Sequence, residues 1–431
     1  MENSSAFFGK QGRKALMINK NNTVAKPFQL KVSNRKLILN VLKKGGAFSI
    51  ADISSATGIS RQTVTKAIEH FIAAKIVVSL GKGDSTDSGG KKPALFSLTS
   101  GLKFIVILTR VQYFTISLYS LASEAAIAAT ERIRIPIHGN FDDFLGLIRS
   151  EISNLMTDRK IAEEVIYGIS LIVPGVVENN QVLRFNPFNQ NWGQDIPIAE
   201  KMNGLFKKAK VIFIDNISRV AGIGTILNSA DRFDYSRVVT LYTFEGIAGC
   251  LFHRGELISS SSPIIGEFGH MLIDPDSPVM CNCGRHGCFE ALVSPKSIRS
   301  RIQSESDLGS FLTFAGKPLD EILFCDIVSG SDHGFACCIK ELARLASYFA
   351  RVFYNIAVVY DPDIFIIEGY YACYNHLFED AVRDQLSNSI IIPPSRYYRL
   401  ESDATPLEEL ELSGSIYKLK EHFFSDDTIY S

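Results

Sequence analysis

A chain of 431 residues is too long for one hydrophobic core, so two or three domains are expected, and 46% hydrophobic residues is an ordinary globular content. No apolar run of roughly 18 residues is present to span a bilayer, and Met1 to Lys20 lacks an apolar signal core with a cleavage site, which points to a cytoplasmic protein without a membrane partner. The net charge of −1 hides an asymmetry: residues 1–100 hold 16 Lys+Arg against 5 Asp+Glu, and the remaining 331 hold 29 against 41. A basic front on an acidic body reads as a nucleic-acid module joined to a domain with other partners.

Residues 1–32 are polar, Asn-rich and basic without periodicity, and are expected to form a flexible arm. Helical patterning begins at Ser33, with Leu37, Ile38, Val41 and Leu42 on one face and Gly45-Gly46 as the stop. Ser49 precedes a second short helix carrying Ile50, Ile53 and Ala56. Gly58 opens a turn, Ile59 anchors it, and Ser60 suits the N-cap of a third helix with Val64, Ala67, Ile68, Phe71 and Ile72 inward. This is a helix-turn-helix whose second element leaves Arg61, Gln62, Thr63, Thr65 and Lys66 outward, where the start of a recognition helix meets base edges. A strand from Ile76 to Leu80, a loop from Gly81 to Lys92 and a return strand from Pro93 to Leu98 add a wing, with Lys91 and Lys92 at its base. A solvated three-helix domain with a charged face is the bland alternative. An excess of about eleven positive charges over residues 1–100 favours double-stranded DNA.

Leu102 to Ser120 alternates as two strands, and Gly168 to Gly175 is a third. Asn186 and Asn189 beside Pro187 suit turn formers and hydroxyl-binding amides equally. The strand Val211 to Ile214 leads into Asp215-Asn216. Next comes Gly266-Glu267-Phe268-Gly269-His270 and, ten residues on, Cys281-Asn282-Cys283-Gly284-Arg285-His286-Gly287-Cys288-Phe289-Glu290. Three thiols and an upstream imidazole, His270, make a Cys3His set of the kind that holds tetrahedral Zn2+, with His286 the competing fourth ligand. Such a closed shell folds a loop and leaves no place for a reactive water. Gly284 and Gly287 permit the tight turns this needs. The remaining cysteines, Cys250, Cys325, Cys337, Cys338 and Cys373, show no framework spacing and read as reduced, buried thiols. Ser297 to Asn355 reads as helices broken at Ser329 to Gly334 and is expected to carry a dimer surface. Leu407 to Phe424 reads as a C-terminal helix.

Glu-x-Gly-His followed by Cys-x-Cys-Gly-x-x-Gly-Cys-x-Glu closely resembles the signature of the ROK family of repressors, uncharacterised frames and sugar kinases. The resemblance runs from Arg35 to Phe424. It implies an α/β fold, an N-terminal winged helix-turn-helix followed by a two-lobed actin-like, hexokinase-like domain with a zinc knuckle. It also implies that Glu267, His270 and Glu290 hydrogen-bond sugar hydroxyls while zinc holds the two halves of the motif. By the same resemblance Asn216, Asn189 and Asn186 are further sugar contacts, Trp192 shapes the mouth of the pocket, Lys91 and Lys92 lie in or near the DNA minor groove, and the C-terminal helix packs on the first lobe.

Departures from the family's kinases all point one way. The general-base aspartate of the kinases falls, in the preferred register, on Asn216, an amide that cannot accept a proton, although a slip of one residue restores Asp215. Their Asp-x-Gly-Gly-Thr has no counterpart, since Lys103 to Leu121 contains neither Asp nor Gly. Gly-Thr-Gly-Ile-Gly becomes Phe244-Glu245-Gly246-Ile247-Ala248, and an adenine-flanking Gly-Gly becomes Glu368-Gly369. No recognisable Mg-ATP site is left. The expectation is therefore a sugar-responsive transcriptional regulator and not an enzyme, with DNA binding in 33–100, a sugar-sensing domain in 101–431, structural zinc, an operator partner and a homodimeric or homotetrameric state. Sugar bound between the lobes would set the spacing of two recognition helices. The rivals are an ATP-dependent sugar kinase carrying a DNA module, and a regulator that senses a partner protein through its acidic body.

Overall fold

The structure is a computed structural model that describes residues 27–82, 92–136, 139–185, 190–259, 264–388, 391–393 and 395–431. Two compact units are present, one of residues 1–217 with 412–431 and one of residues 218–411.

The first unit opens with α1 (Pro27–Leu42), β1 (Phe48–Ser49), α2 (Ile50–Thr57), α3 (Arg61–Ala73), β2 (Val77–Lys82) and β3 (Ala94–Leu98), the strands pairing in the order β1-β3-β2. This is a winged helix-turn-helix. The first helix starts at Pro27 and not at Ser33, and its inward face is Ile38, Leu39, Val41 and Leu42, with Leu37 exposed. Ser49 and Asp52 form a capping box at α2, with the Ser49 N–H donating to the Asp52 carboxylate at 2.8 Å. Gly58 ends α2 in the left-handed region at φ 72°, and Ser60 caps α3 through the Thr63 N–H at 3.3 Å. Val64, Ala67, Ile68 and Phe71 face inward as expected, while Ile72 is exposed.

A mixed sheet follows: β4 (Lys103–Thr109), β5 (Tyr113–Ser120), β6 (Ala128–Ala129), β7 (Ile133–Arg134), then α4 (Phe141–Asp158) and β8 (Ile166–Val173). A hairpin of β9 (Val176–Glu178) and β10 (Val182–Phe185), then α5 (Ile198–Leu205) and β11 (Val211–Asn216), complete it, with strand order β11-β8-β4-β5-β6. The parallel strands β11, β8 and β4 are covered on both faces, which is why they read as nearly unbroken apolar runs. Phe141, Phe144, Leu145, Ile148, Ile152 and Leu155 bury one stripe of α4. Trp192 corrects an expectation: it is 6% exposed and stacked on Phe144 at 4.6 Å, in the core and not at a pocket mouth. Its large ring is better spent filling this core than facing a polar ligand.

The chain's last helix, Leu407–Ser425, and the 3-10 turn Asp427–Tyr430 tie this unit together. Phe423 packs on Phe104 and Tyr167, and Tyr430 is buried edge-on against Phe71 of α3. Arg35 donates to the Tyr430 carbonyl at 3.0 Å, and the His70 Nε2 lies 3.0 Å from the Ile429 carbonyl. Helices α1 and α3 are thus each tied to a backbone carbonyl of the C-terminal turn.

The second unit holds α6 (Ile217–Asn228), a sheet of β12 (Arg237–Thr243), β13 (Ile247–His253) and β14 (Glu256–Leu257), and α7 (Phe289–Val293). Then come α8 (Pro295–Ile302), α9 (Leu308–Ala315), α10 (Phe324–Asp332), α11 (Ala336–Tyr360), β15 (Ile364–Gly369), α12 (His376–Ser387), β16 (Arg399–Asp403) and the start of α13 (Leu407–Ser425). The strand order is β14-β13-β12-β15-β16. The expected break at Ser329 to Gly334 lies mostly inside α10; the turn comes at Gly334, φ 82°. Small polar residues there still fit a helix because Ser331 returns its hydroxyl to the Val328 carbonyl at 2.7 Å. By length and composition α11 is apolar enough to cross a membrane, but Leu342, Leu345, Phe349, Phe353 and Ile356 bury it in the core of this unit.

Candidate functional site

Gly266 brings the site together. At φ 93° it lies where an added Cβ would meet the Gly249 carbonyl oxygen at 2.0 Å, so only glycine lets this loop seat on β13. The 3-10 turn Phe268–His270 follows, with Phe268 buried. His270 turns its Nδ1 to the Cys281 Sγ at 3.5 Å, and its Nε2 lies 3.9 Å from a Glu267 carboxylate oxygen. The second half folds back on the first: Phe289 N–H donates to Met271 O at 2.9 Å and Ile273 N–H to Gly287 O at 3.1 Å. A Cβ on Gly287 would meet the Asp274 carbonyl oxygen at 1.7 Å, which fixes glycine at that crossing.

Around this crossing the ligand atoms of His270, Cys281, Cys283 and Cys288 all lie within 4.8 Å of one another. Cys283 and Cys288 sulfurs are 3.6 Å apart. Bonds of about 2.0–2.3 Å to a tetrahedral ion put neighbouring ligand atoms about 3.4–3.8 Å apart, so the set can hold a metal ion. Of the two histidines weighed, His270 is in the cluster; His286 is exposed and pairs its backbone with Met280. Burial raises the Cys281 thiol and lifts Cys288 to about 12. Burial also opposes ionisation of Cys283, but hydrogen bonds from the Arg285 N–H and the neighbouring thiols outweigh it and lower that group. A cation supplies the charge that lets such thiols ionise together.

Glu267 lies beside the imidazole, and a Glu290 carboxylate oxygen lies 3.1 Å from where a Cβ on Gly269 would stand. Glu267 is largely buried, and burial raises its carboxyl, opposed by His270, with Glu290 raising it further and Arg219 opposing. Glu290 sits in the first turn of α7 and accepts the Ile247 N–H at 2.8 Å, so it also pins the turn between β12 and β13. Arg219, in the first turns of α6, is a member that sequence reasoning passed over; a lone arginine after Asn216 carried no pattern to mark it. Asn216 closes β11, 8% exposed, its side-chain amide donating to the Gly175 carbonyl, and its N–H donates to the Asp215 carboxylate at 2.7 Å. Asn186 and Asn189 lie outside the described residues, as does Lys91.

The stretches read from sequence as departures from the kinases have defined local contacts. Arg110 N–H closes on Tyr113 O at 2.7 Å, a tight hairpin between β4 and β5. Phe244 N–H closes on Gly246 O at 3.0 Å and leaves the Phe244 ring half exposed. Glu368 is fully buried, receives the Thr225 hydroxyl, and its carboxyl is pushed up to about 8 by burial. Beside it lies a buried ion network in which Arg232 donates to Asp403 at 2.5 Å and to Glu401 at 2.7 Å.

On the winged helix, Arg61, Gln62, Thr65 and Lys66 are exposed, and Thr63 is half-buried with its hydroxyl 3.0 Å from Ser60. The Thr65 hydroxyl donates to Arg61 O at 2.9 Å, and Lys92 is exposed where the wing returns. Four sequence-predicted DNA contacts, Arg61, Gln62, Thr65 and Lys66, are thus exposed in the first turns of α3.

A family model described as "ROK family" matches residues 120–405. The chain belongs to the ROK family. Among its relatives in sequence, the xylose repressor of Bacillus spizizenii is 24% identical over 374 residues, 86% of this chain and 91% of the repressor. The DNA-binding transcriptional repressor Mlc of Escherichia coli is 21% identical, over 70% of this chain and 73% of Mlc. The glucokinase of Thermotoga maritima is 27% identical over 60% of this chain and 80% of the kinase. In fold, this ROK protein matches the crystal structure of a ROK family transcriptional regulator, a homologue of E. coli Mlc, with TM-score 0.71 and 18% identity over 93% of this chain and all of that one. A ROK glucokinase from Streptomyces griseus matches with TM-score 0.56 and 15% identity over 73% of this chain and 98% of the kinase. The ROK family's repressor branch, with its N-terminal winged helix-turn-helix, therefore accounts for more of the chain than the kinase branch.

One expectation about the cysteines is overturned. Cys325 and Cys373 are not reduced buried thiols: they are exposed and joined by a disulfide, Cα atoms 5.8 Å apart. Cys250, Cys337 and Cys338 are buried thiols outside any disulfide, as expected.

Proposed function

We propose that this ROK protein is a sugar-responsive, DNA-binding transcriptional repressor acting in the cytoplasm, in which residues 33–100 bind the operator and residues 101–431 read the sugar. The observation that carries it is the pairing, in one chain, of an outward polar face on α3 with Glu267, which has His270 at 3.9 Å and Glu290 acting on its carboxyl. Arg61, Gln62, Thr63, Thr65 and Lys66 read or brace the major groove, and Lys91 and Lys92 add wing contacts to phosphate or the minor groove. Zinc is the metal that a Cys3His shell selects, and its part is structural: it holds the imidazole so that Nε2 and the two carboxylates face sugar hydroxyls as fixed partners. The family resemblance adds Asn216, Asn189 and Asn186 as further amides for sugar hydroxyls.

Sugar kinase activity is not part of the proposal. A buried Glu368 and the Phe244 turn replace backbone that must approach a triphosphate, and Asn216 cannot act as base. Binding of sugar shifts the balance between two states of different operator affinity, by as much as its differential affinity for the two states. A dimer carries two recognition helices, and half-sites one DNA turn apart are sensitive to their spacing. The test is binding of the purified protein to DNA from its own upstream region with a panel of monosaccharides, xylose first because two of the relatives are xylose repressors. A sugar-dependent change in affinity is expected.

A further inference from the structure

Cys325 and Cys373 belong to neither the thiol cluster nor the core. One stands in the first turn of α10 and the other in the turn after β15, 48 residues apart in sequence, and both sulfurs sit on exposed residues. Thiol–disulfide exchange needs access for an attacking thiolate, which this bond has and the buried Cys250, Cys337 and Cys338 lack. Behind the bond lies the seat of α7. The Tyr370 hydroxyl accepts the Phe324 N–H at 2.8 Å, next to Cys325, and the Tyr371 hydroxyl donates to the carbonyl of Val293, the last residue of α7. The rings of Phe324 and Tyr371 meet at 4.4 Å. The cross-link therefore joins the two segments whose tyrosines and phenylalanine hold the end of the helix that carries Glu290.

We propose that Cys325 and Cys373 form a redox-exchangeable pair, interconverted by low-molecular-weight thiols and disulfides, and that its state sets the local stability of α7. In reduction, a small thiolate attacks one protein sulfur, the protein S–S bond breaks, and the released cysteine thiolate takes a proton. A second small thiolate then attacks the outer sulfur of the mixed disulfide. Two small thiols are oxidised to one small disulfide and the protein disulfide is reduced to two thiols; oxidation is the reverse. The consequence for effector binding rests on the sugar reading above, through Glu290, but the exchange and the helix stability do not.

The full chain is equilibrated across ratios of reduced to oxidised glutathione, quenched by alkylation under denaturing conditions, and mapped by peptide mass spectrometry. Cys325 and Cys373 are expected to change state together in one transition, while Cys250, Cys337 and Cys338 stay thiols throughout. Amide hydrogen exchange over residues 289–293 is expected to quicken about tenfold or more on reduction, and the double variant Cys325→Ser, Cys373→Ser to show the fast pattern in both buffers. A pair that stays oxidised in excess thiol, or never oxidises, overturns the exchange. Equal α7 protection in both states overturns the coupling. Loss of the sugar reading shows separately, as operator binding that no sugar alters.

Discussion

Two cysteine regions of the second unit differ in kind. In the turn from Gly266 to Glu290, three free thiols and an imidazole converge within 4.8 Å, a cluster that calls for a cation. At α10 and the end of β15, two thiols have closed on each other at the surface. The first arrangement is made by a short, glycine-punctuated stretch whose crossing tolerates no side chain at Gly266 or Gly287. The second is made by tertiary packing, which brings together helix and turn 48 residues apart. A metal cluster in the first region needs all four ligands at once, whereas the second region has aromatic packing beside its bond.

Removing the metal is the sharpest way to break that contrast. About one zinc per chain is expected from elemental analysis, and chelation or Cys288→Ser should melt the turn and cost the largest share of stability of any change here, because a structural zinc contributes folding energy outright. The double serine variant at 325 and 373 should cost far less, a fall in Tm of about 5–10 °C.

Next in size is the buried carboxyl of Glu368, whose neighbours are Thr225, Asp403, Glu411 and Arg232. Its folded pKa of about 8 lies above its unfolded value, so the folded protein holds a proton that the unfolded chain releases near 4.5. Stability is then lost as pH rises from about 4.5 to 8, on the order of a few kcal/mol. Glu368→Gln, which mimics the neutral acid, should flatten urea-denaturation midpoints across that window.

Sugar binding should respond to Glu290. Glu290→Gln keeps an acceptor for the Ile247 N–H yet loses the charge, and should weaken sugar affinity about tenfold in calorimetry with zinc and operator binding intact. Glu290→Ala is less clean because it also frees the Ile247 N–H. Effects on DNA should be of similar size. Gln62→Ala should alter operator preference by about 1–3 kcal/mol, whereas Lys66→Ala should weaken all sequences alike and lower the salt slope by about 1.

What could be read from residue order follows the same division. Ser49, Gly58 and Ser60 announce the helix-turn-helix because caps and left-handed glycines act within one turn of the chain. The ligands of the thiol cluster were legible for a similar reason, since their spacing is their geometry, whereas Glu267 and Glu290 were marked only by the resemblance to the ROK signature. Partners fixed only by packing were not. Trp192 lies in the core because Phe141 and Phe144 of α4 surround it, and the Cys325–Cys373 bond, the Arg219 charge near Glu267 and the Arg35 bond to Tyr430 all join distant stretches. The helix at Pro27 started early because its first residues carry no apolar stripe to reveal them, and Ser329 to Asp332 remained helical because a serine hydroxyl returned to the backbone.

The central claim is that one chain couples sugar held at Glu267, His270 and Glu290 to an operator held by α3. Fluorescence anisotropy of labelled upstream DNA, titrated with the full-length protein at fixed salt with and without each sugar, tests it most directly. The account predicts that at least one sugar shifts the operator Kd about tenfold or more and that Glu290→Gln moves the required sugar concentration upward by a similar factor. An operator Kd that no sugar shifts, or a protein that phosphorylates a sugar with ATP at an enzyme-like rate, contradicts it.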